Sequence, residues 1–171
     1  MAAPLHTLTM PDERLDLADF IREQGLQAEM VAPGAHMPTV DAAAAAMQVA
    51  PEQIFKSILF QSRAGRCVMV VACGNARVDI RRVQDLTGIF GLKLAKPDVV
   101  LAKTGYPAGG TPPVGHREKF PVIVDAAVAG QEWGYAGGGQ PELLVKIKSA
   151  DIIRLTGAAV HDVVAVAAAH A

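Results

Sequence analysis

Two stretches of this chain, IFKSILFQSR (54–63) and RCVMVVACG (66–74), leave little freedom in how it folds. Both are rich in Ile, Val and Phe, and they meet at Ala64-Gly65, so they predict two adjacent strands joined by a tight turn. The second is apolar at nearly every position, which suits a central strand. Cys67 and Cys73 lie on it at even spacing, hence on one face. Six strand residues span roughly 20 Å, too far for a disulfide or a shared metal. Both are expected to be core thiols of a protein from a reducing compartment.

Helical patterns surround this pair. Residues 11–24 carry Pro11, Asp12 and Glu13 in a first turn, then Leu17, Phe20, Ile21 and Gln24 at helical spacing before Gly25. Thr39 is placed to cap an Ala-rich helix ending near Met47. RVDIRRVQDLTG (77–88) and PDVVLAKTG (97–105) read as further helices, and LKLA (92–95) as a short strand. Thr87-Gly88, Thr104-Gly105 and Thr156-Gly157 share a glycine C-cap without forming a repeat. QAEMV (27–31) and FPVIVD (120–125) read as strands, and EWGYAGG and ELLVKIK as a hairpin-like pair. Ser149 is expected to cap a last helix, with residues 158–171 continuing it. Mixed hairpins and crossovers predict an α+β fold, one domain over residues 1–171 with its core at about 15–158. Length and a 51% hydrophobic content suit one sizeable core, filled mainly by aliphatic side chains because aromatics make up only 5%.

The net charge of −1 supplies no overall field for nucleic acid, and binding to DNA is not expected. The pairs Arg81-Arg82, Arg63/Arg66, Lys93/Lys96 and Arg117/Lys119 read singly as solvated faces. The N-terminus lacks a signal-peptide pattern, and no apolar run approaches the ~20 residues of a membrane span. A soluble, cytoplasmic protein is expected.

Lys56, inside an apolar strand, reads equally as an ammonium that receives an anion or carbonyl and as an edge-strand charge that blocks aggregation. TGYPAGGTPPVG (104–115) packs four glycines and three prolines into twelve residues. Gly109 and Gly110 allow main chain to approach a ligand, while Pro112 and Pro113 stiffen the end of the loop. Exposed N–H groups in such a turn hold a carbonyl oxygen or an oxyanion. Asp125 either binds a ligand amine or caps the next helix. His36, in a Gly/Pro loop, is by default a bystander. His116, His161 and His170 lack metal-ligand spacing. Neither Ser57 nor Cys67 has an evident base.

HMPTVDAAAAAMQVAPEQIFKSILF, VMVVACGNARVDIRRVQDLTG and above all TGYPAGGTPPVGHREKFPVIVD resemble the YbaK/ProX family, editing domains related to the insertion domain of bacterial prolyl-tRNA synthetase. The resemblance implies a mixed, barrel-like β-sheet ringed by helices, and hydrolysis of wrongly charged aminoacyl-tRNA without metal or cofactor. It implies catalytic roles for Lys56, Gly110 and Thr111. Substrate contacts would come from His36, Thr39, Gly109, Pro112, Pro113, Asp125, Gly137 and Gly138. Implied partners are the acceptor end of a mischarged tRNA and a synthetase or elongation factor. One branch, active on alanyl-tRNA, carries a His between its late strands; here that region reads AGGGQPE, leaving Ala, Ser, Thr and Cys open. A module that binds a tRNA end or a synthetase without hydrolysis, and a small-molecule hydrolase, are the alternatives.

Overall fold

The computed structural model describes residues 14–165. Its elements run α1 Leu17–Gln24, β1 Glu29–Val31, α2 Val40–Met47, β2 Phe55–Gln61, β3 Cys67–Cys73, α3 Ile80–Thr87 and β4 Lys93–Leu94. They continue with α4 Pro97–Thr104, β5 Val122–Asp125, α5 Ala126–Ala129, β6 Trp133–Gly137, β7 Leu144–Lys148, α6 Ser149–Thr156 and β8 Ala159–His161. The expected first helical turn at residues 11–13 lies outside the described residues.

The strands form two sheets, ordered β1-β7-β6 and β4-β2-β3-β5-β8. β2 and β3 pair antiparallel over their full length, from Phe55↔Cys73 to Gln61↔Cys67. β3–β5 and β5–β8 are parallel, so the larger sheet is mixed as expected. The barrel expectation needs correction. Neither sheet closes, and among the described residues a single bridge, Ile54↔Tyr135, connects them. β2 meets β4 only at Phe60 and Gln61, which leaves the start of β2 open on that side.

β3 is buried along its entire length. Cys67, Met69, Val71 and Cys73 face one apolar cluster, with Tyr106, Val124 and Ile147. Val68, Val70 and Ala72 face a second, with Val83 and Ile123. Both cysteines are free and buried, and burial pushes both thiols up.

The three Thr-Gly helix ends have a common construction. Gly88, Gly105 and Gly157 adopt the left-handed conformation, and each preceding Thr donates its hydroxyl to the carbonyl four residues back. Ser149 differs from expectation. It is the first residue of α6, and its hydroxyl donates to the Gln131 carbonyl, tying the helix to the loop before β6.

Residues 158–165 are not helical, and residues 166–171 of the expected continuation lie outside the described residues. Residues 159–161 form β8 beside β5, and Val164 bridges Val78. Gly157 ends the helix, and β-branched Val160, Val163 and Val164 favour an extended chain beyond it. Asp125 fixes this return. Its carboxylate accepts from Ala127 N–H, capping α5, and from Val163 N–H, and it is only 2% exposed. Asp125→Ala leaves both donors without that acceptor and is expected to cost about 2–4 kcal/mol, read by chemical denaturation.

Candidate active site

The open start of β2 is where the candidate residues converge. A cleft of about 190 Å³ is bordered by Ile54, Phe55, Lys56 and Ser57 from β2 and its approach. Thr39, Val40 and Ala43 supply the wall from α2, while Gly109 and Thr111 come from the Gly/Pro loop. Gly137, Leu143 and Leu144 close it from the β6–β7 hairpin. Lys56 and Ser57 project to opposite faces of a strand, so the cleft straddles its edge.

Each wall has a local cause. Thr39 Oγ1 accepts from Ala42 N–H at 3.1 Å and starts α2. Asn75 ties that helix to the loop after β3 through Asp41, at 2.8 Å. Lys56 Nζ donates to the Ala76 carbonyl of the same loop at 2.6 Å. Burial pulls this ammonium below the ordinary lysine value, and Cys73 offsets part of the shift. Lys56 is thus a half-buried, hydrogen-bonded ammonium on a strand that borders the cleft.

The Gly/Pro loop is braced from behind. Gly109 has φ +86°, a conformation that favours glycine. Gly110 is glycine for another reason. Its chain presses against the 137–140 turn, and Gly139 N–H donates to the Gly110 carbonyl at 2.7 Å. A methyl group on Gly110 would stand 2.5 Å from the Gln140 carbonyl carbon. The close approach is thus to the protein's own backbone, not to open cleft. The Gly110 N–H is engaged by the Pro107 carbonyl at 3.1 Å, so it is not the free donor that the sequence suggested. Thr111 donates its hydroxyl to the same carbonyl at 3.0 Å. Pro112 and Pro113 are buried outside the cleft lining, and His116 Nε2 meets the Pro112 carbonyl at 2.8 Å. Burial holds His116 below the usual histidine range, which leaves its neutral form to donate from Nε2.

Of the sequence candidates, Lys56, Thr39, Gly109, Thr111 and Gly137 share the cleft. His36 lines an adjoining cavity of about 180 Å³ that also touches Gly109. Gly138 lies behind the wall, where its chain packs against Leu143. Asp125 stands apart, occupied as a cap. Ser57, which has no base beside it in the sequence, joins the cleft as well. The signal that marks it is structural: no described protein group bonds its buried hydroxyl oxygen.

Fold and cleft together define a small α+β domain in which one lysine and a braced Gly/Pro loop border the same cleft. The family model for the aminoacyl-tRNA editing domain matches residues 35–155, and the chain belongs to that family. Among curated proteins it is similar to the uncharacterized protein YwhH of Bacillus subtilis, 30% identical over 53% of this chain and 57% of that one. It is also 31% identical to the proline–tRNA ligase of Geobacillus thermodenitrificans, over 60% of this chain but 18% of the ligase. The match thus spans just over half of the first relative and under a fifth of the second. A crystal structure described as "a putative trans-editing enzyme for prolyl tRNA synthetase" superposes with a TM-score of 0.80. It is 30% identical, with 88% of this chain and 95% of that one covered. A hypothetical protein matches with a TM-score of 0.79, at 30% identity over 87% of this chain and 99% of that one. Among the described residues no helix is long and apolar enough to cross a membrane.

Proposed function

We propose that this domain hydrolyses the ester joining a small amino acid to the 3′ end of a mischarged tRNA, acting in trans in the cytoplasm. The observation that carries the reading is the cleft shared by Lys56, Gly109 and Thr111, whose volume of about 190 Å³ suits a small aminoacyl group. Membership of the editing-domain family and the likeness to the trans-editing structure support it.

An ammonium has three N–H donors, and Ala76 takes one. The remaining two are available to ribose or phosphate oxygens, or to the charge that develops on the ester carbonyl. Thr111 N–H takes the carbonyl-orienting role, since that of Gly110 is engaged. A water oxygen attacks the carbonyl carbon, the bond to the ribose oxygen breaks, and that oxygen regains a proton. The cleft lining holds neither carboxylate nor histidine, so the ribose 2′-OH or solvent relays the proton. The tRNA acceptor end is the partner, with a synthetase or elongation factor supplying affinity that a net charge of −1 does not.

The test is a panel of Ala-, Ser-, Thr-, Cys- and Pro-charged tRNAs. Release above the spontaneous rate for at least one is expected. Retention of tRNA with no release from any would assign a binding module instead.

A further inference from the structure

Ser57 Oγ is the one buried side-chain nitrogen or oxygen among the described residues with no hydrogen-bond partner. Buried polar groups are nearly always bonded, so an orphan calls for a reason. Its position supplies one. Ser57 borders the cleft beside Lys56, and Ile54, Phe55, Ala43 and Leu144 give that lining much of its apolar surface. In the free protein the oxygen is shut off from solvent while the residue itself is partly exposed. Rotation about χ1 would break no hydrogen bond to a described group.

We infer that Ser57 selects the aminoacyl group: its hydroxyl pairs with a hydroxyl on the substrate side chain, so that seryl esters are preferred to alanyl esters. This rests on the deacylase reading and narrows it to hydroxyl-bearing small amino acids. Alanyl and seryl groups differ little in size, so shape alone separates them poorly. A hydrogen bond in a largely apolar cleft separates them because the wrong substrate leaves the Ser57 hydroxyl unpaired. Lys56 and Thr111 serve parts common to every aminoacyl ester and give no such choice.

The experiment compares kcat/KM for Ser-tRNA and Ala-tRNA on wild type and Ser57→Ala, with thermal melts of both proteins. The seryl-to-alanyl ratio is expected to fall about 10- to 100-fold in the variant. Its Tm is expected to hold or rise, because an unpaired buried oxygen is removed. An unchanged ratio overturns the inference, and so does an equal loss on both substrates, which would place Ser57 against a group they share. A marked fall in Tm also overturns it, since the hydroxyl would then be bonded in the free protein, for instance to an ordered water. Wild-type enzyme inactive on the whole tRNA panel would defeat the deacylase reading itself. Activity on the panel with no seryl preference would defeat only this inference.

Discussion

Lys56→Ala is expected to lower deacylation by ~10²–10³ while the domain stays folded, in line with the loss of one oxyanion-type donor. The side chain also holds the Ala76 carbonyl at 2.6 Å, so some stability goes with it, roughly 1.5–3 kcal/mol. Single-turnover hydrolysis of the preferred aminoacyl-tRNA, alongside a thermal melt, separates the two effects. The pH profile gives a second signature. Burial lowers the folded pKa of Lys56 from its ordinary 10.5. The cation is therefore present below that lowered value and lost as pH rises through it. Enzymatic release, corrected for spontaneous hydrolysis, should decline on the alkaline side before pH 10.5 is reached, and the Ala variant should lack this limb. Wild-type rates in Lys56→Ala would remove the lysine from the mechanism and leave its bond to Ala76 as its only role.

The central strands are readable from local pattern because β3 is buried on both faces, and such a strand must be apolar throughout. Helix ends are readable where one residue type does the work, as at Thr39 and the three Thr-Gly stops. The extended run at 159–163 is not, because it depends on a distant partner: β5 pairs with it, and Asp125 holds Val163. Asp125 shows the same ambiguity. A carboxylate ending a strand suits either a ligand or a cap; its cap bond from Ala127 is local, but its bond from Val163, 38 residues away, is not legible in the sequence. The cleft is half legible. Lys56 and the Gly/Pro loop stand out by composition, but the third wall comes from Leu143, Leu144 and the hairpin, whose apolar side chains look like ordinary core. The role of Gly110 is hidden for a related reason. A sequence shows that a residue lacks a side chain, but not whether a ligand or another stretch of backbone fills the space.

That distinction makes Gly137→Ala the most informative glycine substitution. Gly137 is absent from the residues with positive φ, so alanine suits its backbone conformation, and any effect must come from contact. The added methyl would overlap the Thr111 carbonyl oxygen and stand 2.8 Å from the Thr111 carbonyl carbon. Both obstacles are main chain, so no side chain can rotate away, and strand β6 or the loop has to shift. The strain is expected to cost about 1–3 kcal/mol. The displaced residue is the one whose N–H faces the reacting carbonyl in the proposed mechanism. A misplacement approaching ~1 Å there lowers the rate about 10²-fold. Gly137→Ala should therefore lose activity out of proportion to its stability, with an intact circular dichroism spectrum and a modest drop in Tm. Full activity with the same drop in Tm would mean that Thr111 can move without consequence. The carbonyl-orienting role would then have to leave this loop, and stabilisation of the developing charge would fall to Lys56.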